Sequence, residues 1–162
     1  MELRSQFSSR QFNNELRAYK VLEHLQGKMI PRFLGYFTLK FPERELLEDR
    51  VCNLVMLQVV EGELLKKIPT NRFSSLERAD ISKSVLEIAR TVQEAGVFFG
   101  DLGLGKFLCH KTDRSILLFG FSYTYDPESA GITGQRQANQ IDGGICGLKW
   151  RLEEKGYPVK IF

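Results

Sequence analysis

Phe98-Phe99-Gly100-Asp101-Leu102-Gly103-Leu104-Gly105-Lys106, with Ile116-Leu117-Leu118-Phe119-Gly120-Phe121-Ser122 downstream, is the stretch on which the fold of this chain turns. Gly100 to Lys106 satisfies G-x-x-x-x-G-K, the opening of a phosphate-binding loop. Such a loop aims backbone amides at phosphate, backed by the positive end of a following helix. Two features disagree with it. Phe107 stands where a hydroxyl would hold magnesium, and the residues beyond it have the pattern of a hairpin. Lys106-Phe107-Leu108-Cys109-His110 is one short run, Lys111-Thr112-Asp113-Arg114-Ser115 a polar turn, and 116–121 a second apolar run. A Gly-rich turn that holds no ligand, and a catalytic loop, remain as the other two readings.

Upstream, Ile81, Val85, Ile88, Ala89 and Val92 share one helical face, and Gly96 ends that helix. Ser74 with Glu77 three residues on is a capping-box signature, each side chain satisfying an orphan amide of the first turn. An earlier helix is expected over 9–26, where Phe12, Leu16, Tyr19, Leu22 and Leu25 form a stripe that Gly27 stops. Pro31 opens a strand-forming stretch, 32–39, and Val51-Cys52-Asn53-Leu54-Val55-Met56-Leu57-Gln58-Val59-Val60 reads as a second strand. Between them 41–50 is a charged loop or hairpin tip, and 66–73 a polar linker. Residues 126–147, Gly-rich with little periodicity, are expected to be loop with one short helix. Trp150, Leu152 and Tyr157 suggest a final short helix docking back. The order predicts an α+β fold with its strands in separate small sheets.

Composition narrows the function classes. The 162 residues suffice to bury a core, and 43% hydrophobic with 27% charged residues fits a globular protein. A formal net charge of +3, without a dense basic run, argues against nucleic acid, and the 12 Phe are too scattered for a base-stacking platform. Cys52, Cys109 and Cys146 make an odd set without short-range pairing, so free thiols are expected, buried in two cases. His24 and His110 lie far apart, which speaks against a zinc site. No run of 18 apolar residues or amino-terminal apolar segment appears, and the expectation is a cytoplasmic chain without membrane contact.

A helix ending in Gln93-Glu94-Ala95-Gly96-Val97, then Gly-Asp-Leu, then a hairpin closing in Phe-Gly-Phe-Ser, resembles the protein-kinase-like superfamily. The nearest likeness is to its compact fungal-type and aminoglycoside-phosphotransferase-like members, in a degenerate, truncated form. By that resemblance Asp101 stands where the family places its catalytic base. Phe99 replaces a His, Lys106 the metal-binding Asn and Gly120 the metal-binding Asp. Asn13-Asn14-Glu15-Leu16-Arg17-Ala18-Tyr19 resembles the small-lobe helix whose Glu pairs with a strand lysine. The stretch 27–37 looks like the link into the next strand. Residues 54–64 resemble the strand and hinge, so Gln58 and Val59 match positions facing adenine. The resemblance spans about 12–126. It implies a reduced small lobe over 1–62 and a shortened, mainly helical large lobe over 63–162.

The substitutions bear on chemistry. Phosphoryl transfer rests on positioning and on metal ions that neutralise phosphate charge. Gly120 offers no carboxylate, Lys106 would repel the ion, and the 14 residues ahead of Glu15 leave no room for the glycine-rich loop and paired lysine. A pseudokinase that acts by binding protein is therefore expected, with no metal site. ATP held without magnesium is left open, the Lys106 ammonium either pairing with Asp101 or replacing the metal's charge. A second reading is an active phosphotransferase of unusual chemistry with Asp101 as base; a third is a truncated product of little function. A reduced upper lobe should expose apolar strand surface near 33–37 and 54–60, where self-association or a protein partner is expected.

Overall fold

A computed structural model describes residues 9–41, 50–100, 102–127, 131 and 135–159. The described chain is mixed α and β. Helix α1 (Ser9–Val21) is followed by a short 3-10 turn, Glu23–Leu25, and by strands β1 (Phe33–Phe41) and β2 (Arg50–Leu57). The stripe read as one helix over 9–26 thus breaks at Leu22, where the backbone leaves helical geometry and tightens into the 3-10 turn. The expected tip between the strands, at 42–49, lies outside the described residues.

β1 and β2 form an antiparallel ladder with a register irregularity between Phe33 and Gly35. A three-stranded sheet comes next, ordered β3 (Gly62–Leu64), β5 (Phe107–His110), β6 (Ile116–Leu118). A two-stranded ladder pairs β4 (Phe98–Phe99) with β7 (Thr124–Tyr125), Phe98 facing Tyr125. Three small sheets, all with antiparallel pairing, match the expected division. The hairpin after the glycine run is present: Phe107 pairs with Leu118 and Cys109 with Ile116. Its turn is built by Asp113, which accepts from the Ser115 amide at 2.9 Å, and by Arg114 at φ 60°. The strand directly after Lys106 removes the phosphate-loop reading, because that mechanism needs a helix there.

α2 (Ser75–Glu94) begins with the capping box read from the sequence. The Glu77 amide donates to Ser74 Oγ at 3.2 Å, and the Ser74 amide donates to Glu77 Oε2 at 2.8 Å. The bond from the Ser74 amide first, and the Ser74 hydroxyl second, favour the ionised form and hold the Glu77 carboxyl below its ordinary range. Ile81, Val85, Ile88, Ala89 and Val92 are all buried, as their spacing requires.

The region expected to be mostly loop is instead a long helix, α3 (Gln135–Glu154), 20 residues in length. Gly143, Gly144 and Gly147 lower helix propensity, which hides the element from a local reading. Tertiary packing overrides that cost: Ile145, Leu148 and Leu152 share one helical face and are buried in the common core. At Gly144 a Cβ would stand 3.0 Å from Gln93 Oε1, so the absence of a side chain lets α3 lie close on α2. The separate terminal helix is absorbed into α3. Leu152 and Tyr157 are buried, whereas Trp150 is 62% exposed.

One hydrophobic cluster joins Ala18 and Tyr19 of α1, and Leu22 just past its end, to α2, β5, β6 and α3. Of the cysteines, Cys109 is buried, Cys52 half-buried and Cys146 exposed, all three with free thiols; only Cys109 meets the expectation of a fully buried thiol. Among the described residues no helix is long and apolar enough to cross a membrane. Truncating Leu152 to Ala should cost about 2–5 kcal/mol, because it opens a cavity under α3. Trp150→Ala should fall within about 0.5 kcal/mol of the parent. Chemical denaturation of both variants checks the assignment of α3 as a core helix.

Candidate functional site

The site lies where α1, β4, the 3-10 turn Leu104–Lys106 and the segment after β6 converge. Tyr19 of α1 occupies the centre. Its ring stacks on Phe33 of β1 at 5.5 Å between centroids and meets Phe121 edge-on at 5.2 Å. Phe121 in turn lies 5.7 Å from Phe99 of β4, and the Lys106 ammonium sits 5.8 Å from the Phe99 centroid. Four aromatic rings from four chain segments thus make a continuous column that ends on a cation. Edge-to-face and offset ring pairs of this kind stabilise beyond their buried area, and a cation over a ring face is attracted by its quadrupole. The Tyr19 hydroxyl is buried and has no hydrogen-bond partner among the described residues. Burial first, and the Glu15 carboxylate second, push its phenol far above the ordinary range, so it stays protonated.

Glu15, one turn before Tyr19, is buried and accepts a 2.6 Å hydrogen bond from Ser122 Oγ. Asn14 Nδ2 donates to the Ser122 carbonyl at 3.2 Å. Arg17, on the same helix, donates to the Gly96 carbonyl at 3.0 Å and pairs with Asp126 at 3.2 Å. Residues 14, 15 and 17 therefore fasten α1 onto segments more than 75 positions downstream. A short bond to a carboxylate oxygen out of water is the stronger kind of hydrogen bond. The surface pair with Asp126 contributes less.

Lys106 ends the 3-10 turn, and its ammonium donates to the Gly120 carbonyl at 2.7 Å. Backbone contact runs alongside, the Phe119 amide donating to the Lys106 carbonyl at 3.0 Å. Gly120 has φ +77°, in the left-handed region that glycine enters without a steric penalty. A Cβ placed there would stand 3.6 Å from Lys106 Nζ. The cation therefore lies beside the spot a side chain at position 120 would enter.

Of the residues singled out in the sequence, Glu15, Lys106 and Gly120 come together around the aromatic column. Gln58 and Val59 stand apart from it, just past the end of β2. The Gln58 amide donates to the Arg32 carbonyl at 2.9 Å, and the Val59 side chain is 87% exposed. Asp101 lies outside the described residues, and with it any pairing of Asp101 with Lys106. Sequence reasoning missed Ser122 as the partner of Glu15 and Tyr19 as the hub of the column. Tyr19 was legible only as one member of an apolar stripe, and Ser122 only as the end of Phe-Gly-Phe-Ser.

Solved structures resemble this fold. The kinase domain of Mycobacterium tuberculosis PknI matches with a TM-score of 0.58, 14% identity, and 96% of this chain against 61% of that one. A doubly substituted form of the same domain, C20A_R136A, matches with a TM-score of 0.59 and 16% identity over 94% of this chain and 60% of that one. The chain has a protein-kinase-like fold. It spans about three-fifths of the length of the kinase domains it matches. No protein-family model matches the sequence, and no curated protein does. Within the kinase-like frame, two antiparallel strands and α1 make the upper part, and α2, the β5–β6 hairpin and α3 make the lower.

Ser122→Ala should leave the buried Glu15 carboxylate without its hydroxyl partner and cost about 1–3 kcal/mol of stability. The double change Glu15→Gln with Ser122→Ala should recover part of that loss by removing the stranded charge. Thermal unfolding of the parent, the two single variants and the double variant measures the coupling.

Proposed function

We propose that the chain is a kinase-like domain that does not transfer phosphate and acts by binding another protein or a second copy of itself. The observation that carries this reading is the Lys106 ammonium, 2.7 Å from the Gly120 carbonyl and 3.6 Å from where a side chain at 120 would begin. In the kinase-like family those two positions hold the metal. Magnesium demands near-ideal octahedral oxygen coordination and is usually held through one or two carboxylates. Here one position has no side chain and the other presents a positive charge, so the two residues do not fit the ion. Among the described residues, no group of three or more His, Cys, Asp or Glu side chains is placed to hold a metal. The buried Glu15 carboxylate adds support: its partner is the Ser122 hydroxyl, where an active member would pair it with a lysine.

On this reading 1–62 is the remnant of a small lobe and 63–162 a shortened large lobe. Gln58 and Val59 mark the former hinge, and Asp101 survives from the catalytic loop. ATP, if held, is held without magnesium, with the Lys106 charge standing in for the ion. The compact fungal-type members of the superfamily are the relatives this reading favours. The partner surface is the β1–β2 ladder. On one face of it Phe37, Leu39 and Met56, which pairs with Gly35, are all exposed, whereas Tyr36 turns the other way, its ring edge-on to Phe12 of α1 at 5.5 Å. Neighbouring apolar side chains left in water on a two-stranded ladder favour association.

Incubation with labelled ATP and candidate protein or small-molecule acceptors should give no product. Any turnover abolished by Asp101→Asn would overturn the non-catalytic reading and favour the active phosphotransferase. Thermal shift with ATP should be the same with magnesium as with EDTA; stabilisation that requires magnesium contradicts the part given to Lys106.

Size-exclusion chromatography with light scattering should show concentration-dependent dimers that Leu39→Glu disperses. A clean monomer at high concentration, with no protein captured through this ladder, removes the partner surface.

A further inference from the structure

A cavity of about 350 Å³ opens beside the 3-10 turn Leu104–Lys106. Four cationic side chains line it: Lys66, Lys106, Arg151 and Lys155. Among the described residues the one carboxylate in its wall is Glu154. The described lining therefore sums to a formal +3, four cations against one carboxylate. That charge is gathered from three separate places in the fold: the segment after β3, the end of the 3-10 turn, and the carboxyl end of α3. Lys155 is held there by donating from Nζ to the Lys66 carbonyl at 2.9 Å.

Cations at the end of α3 complement the negative end of the helix. That accounts for Arg151 and Lys155; Lys66 and Lys106 reach the same wall from other elements.

The two glycines of the wall point the same way. Gly103 has φ −128° and ψ 165°, extended backbone that any residue adopts, so conformation does not require glycine there. What the missing side chain provides is room. A Cβ at Gly103 would stand 3.1 Å from Arg151 Nη1, and one at Gly105 would stand 3.7 Å from the Lys66 stem. A volume of 350 Å³ is at the small end for a ligand site. It is enough for a compact anion and the atoms that carry it.

We propose that this cavity binds a phosphoryl group, either as free phosphate or on a phosphorylated side chain of a peptide. Guanidinium and ammonium donors converging on a dianion make charge-assisted bonds, the Arg able to bind two oxygens at once. The proposal goes beyond the non-catalytic reading and does not depend on it, since no nucleotide and no transfer step is involved.

The test is isothermal titration of the full chain at about 50 mM ionic strength, where exposed charges are weakly screened. The probes are inorganic phosphate, a peptide with one phosphoserine, and the same peptide unphosphorylated. Saturable binding of a phosphate-bearing probe, absent for the unphosphorylated peptide and weakened by salt, is the expected result. A phosphopeptide that binds well beyond inorganic phosphate identifies a protein segment as the source; comparable binding of both identifies the free anion.

Lys66→Glu should weaken binding about tenfold or more, equal to about 1.4 kcal/mol. Glu154→Gln should tighten it. Lys20→Glu, the same charge change on the exposed face of α1, should leave it unaltered. The gain in Glu154→Gln tests the proposal even if Lys66→Glu folds poorly. The proposal is overturned if neither phosphate-bearing probe saturates, or if Lys66→Glu and Lys20→Glu weaken binding alike.

Discussion

The contact between Tyr19 and Phe121 is the one on which the rest of this structure depends. Tyr19 belongs to α1, near the start of the chain, and Phe121 to the segment after the β5–β6 hairpin. Their rings meet edge to face at 5.2 Å, both fully buried. Phe33 extends the column on one side and Phe99 on the other, so a single row of rings passes through the upper and lower parts of the fold. The Glu15–Ser122 bond lies beside that contact and fixes its orientation, since a ring pair alone leaves rotation of α1 free. Closing the contact brings together segments about 100 positions apart. The loop-closure entropy of that step grows only logarithmically with length, and the large apolar area buried by two aromatic residues offsets it.

A kinase-like frame persists here although the chain spans about three-fifths of the kinase domains it resembles. What holds the upper part in place is a fixed attachment. α1 is tied to the lower part through Asn14, Glu15 and Arg17, and the Leu118 amide donates to the Met29 carbonyl at 2.9 Å. A small lobe that hinges over a nucleotide needs interfaces that open. Bonds of this number across the junction favour one arrangement.

Lys106 connects the two charge features of the molecule. It caps the aromatic column through Phe99 and the Gly120 carbonyl, and it also lines the cationic cavity with Lys66, Arg151 and Lys155. One ammonium thus belongs both to the end of the ring column and to the surface beside it. Low local dielectric makes that ammonium felt more strongly than it would be in open water.

How much of this was legible in the residues themselves depends on the range of the forces involved. The capping box at Ser74 and Glu77, the stripe of α2, and the hairpin over 106–121 are set by neighbours within a few positions, and the sequence by itself determined them. It also carried the order of motifs that resembles a kinase. Helix α3 was invisible locally because Gly143, Gly144 and Gly147 argue against helix. Only burial of Ile145, Leu148 and Leu152 against α2 outweighs them. The Ser122 hydroxyl as partner to Glu15, the ring column through Tyr19, and the convergence of four cations were likewise decided by the tertiary structure. Each joins segments far apart in the chain, and no spacing along the sequence encodes which of many serines, rings or lysines will meet.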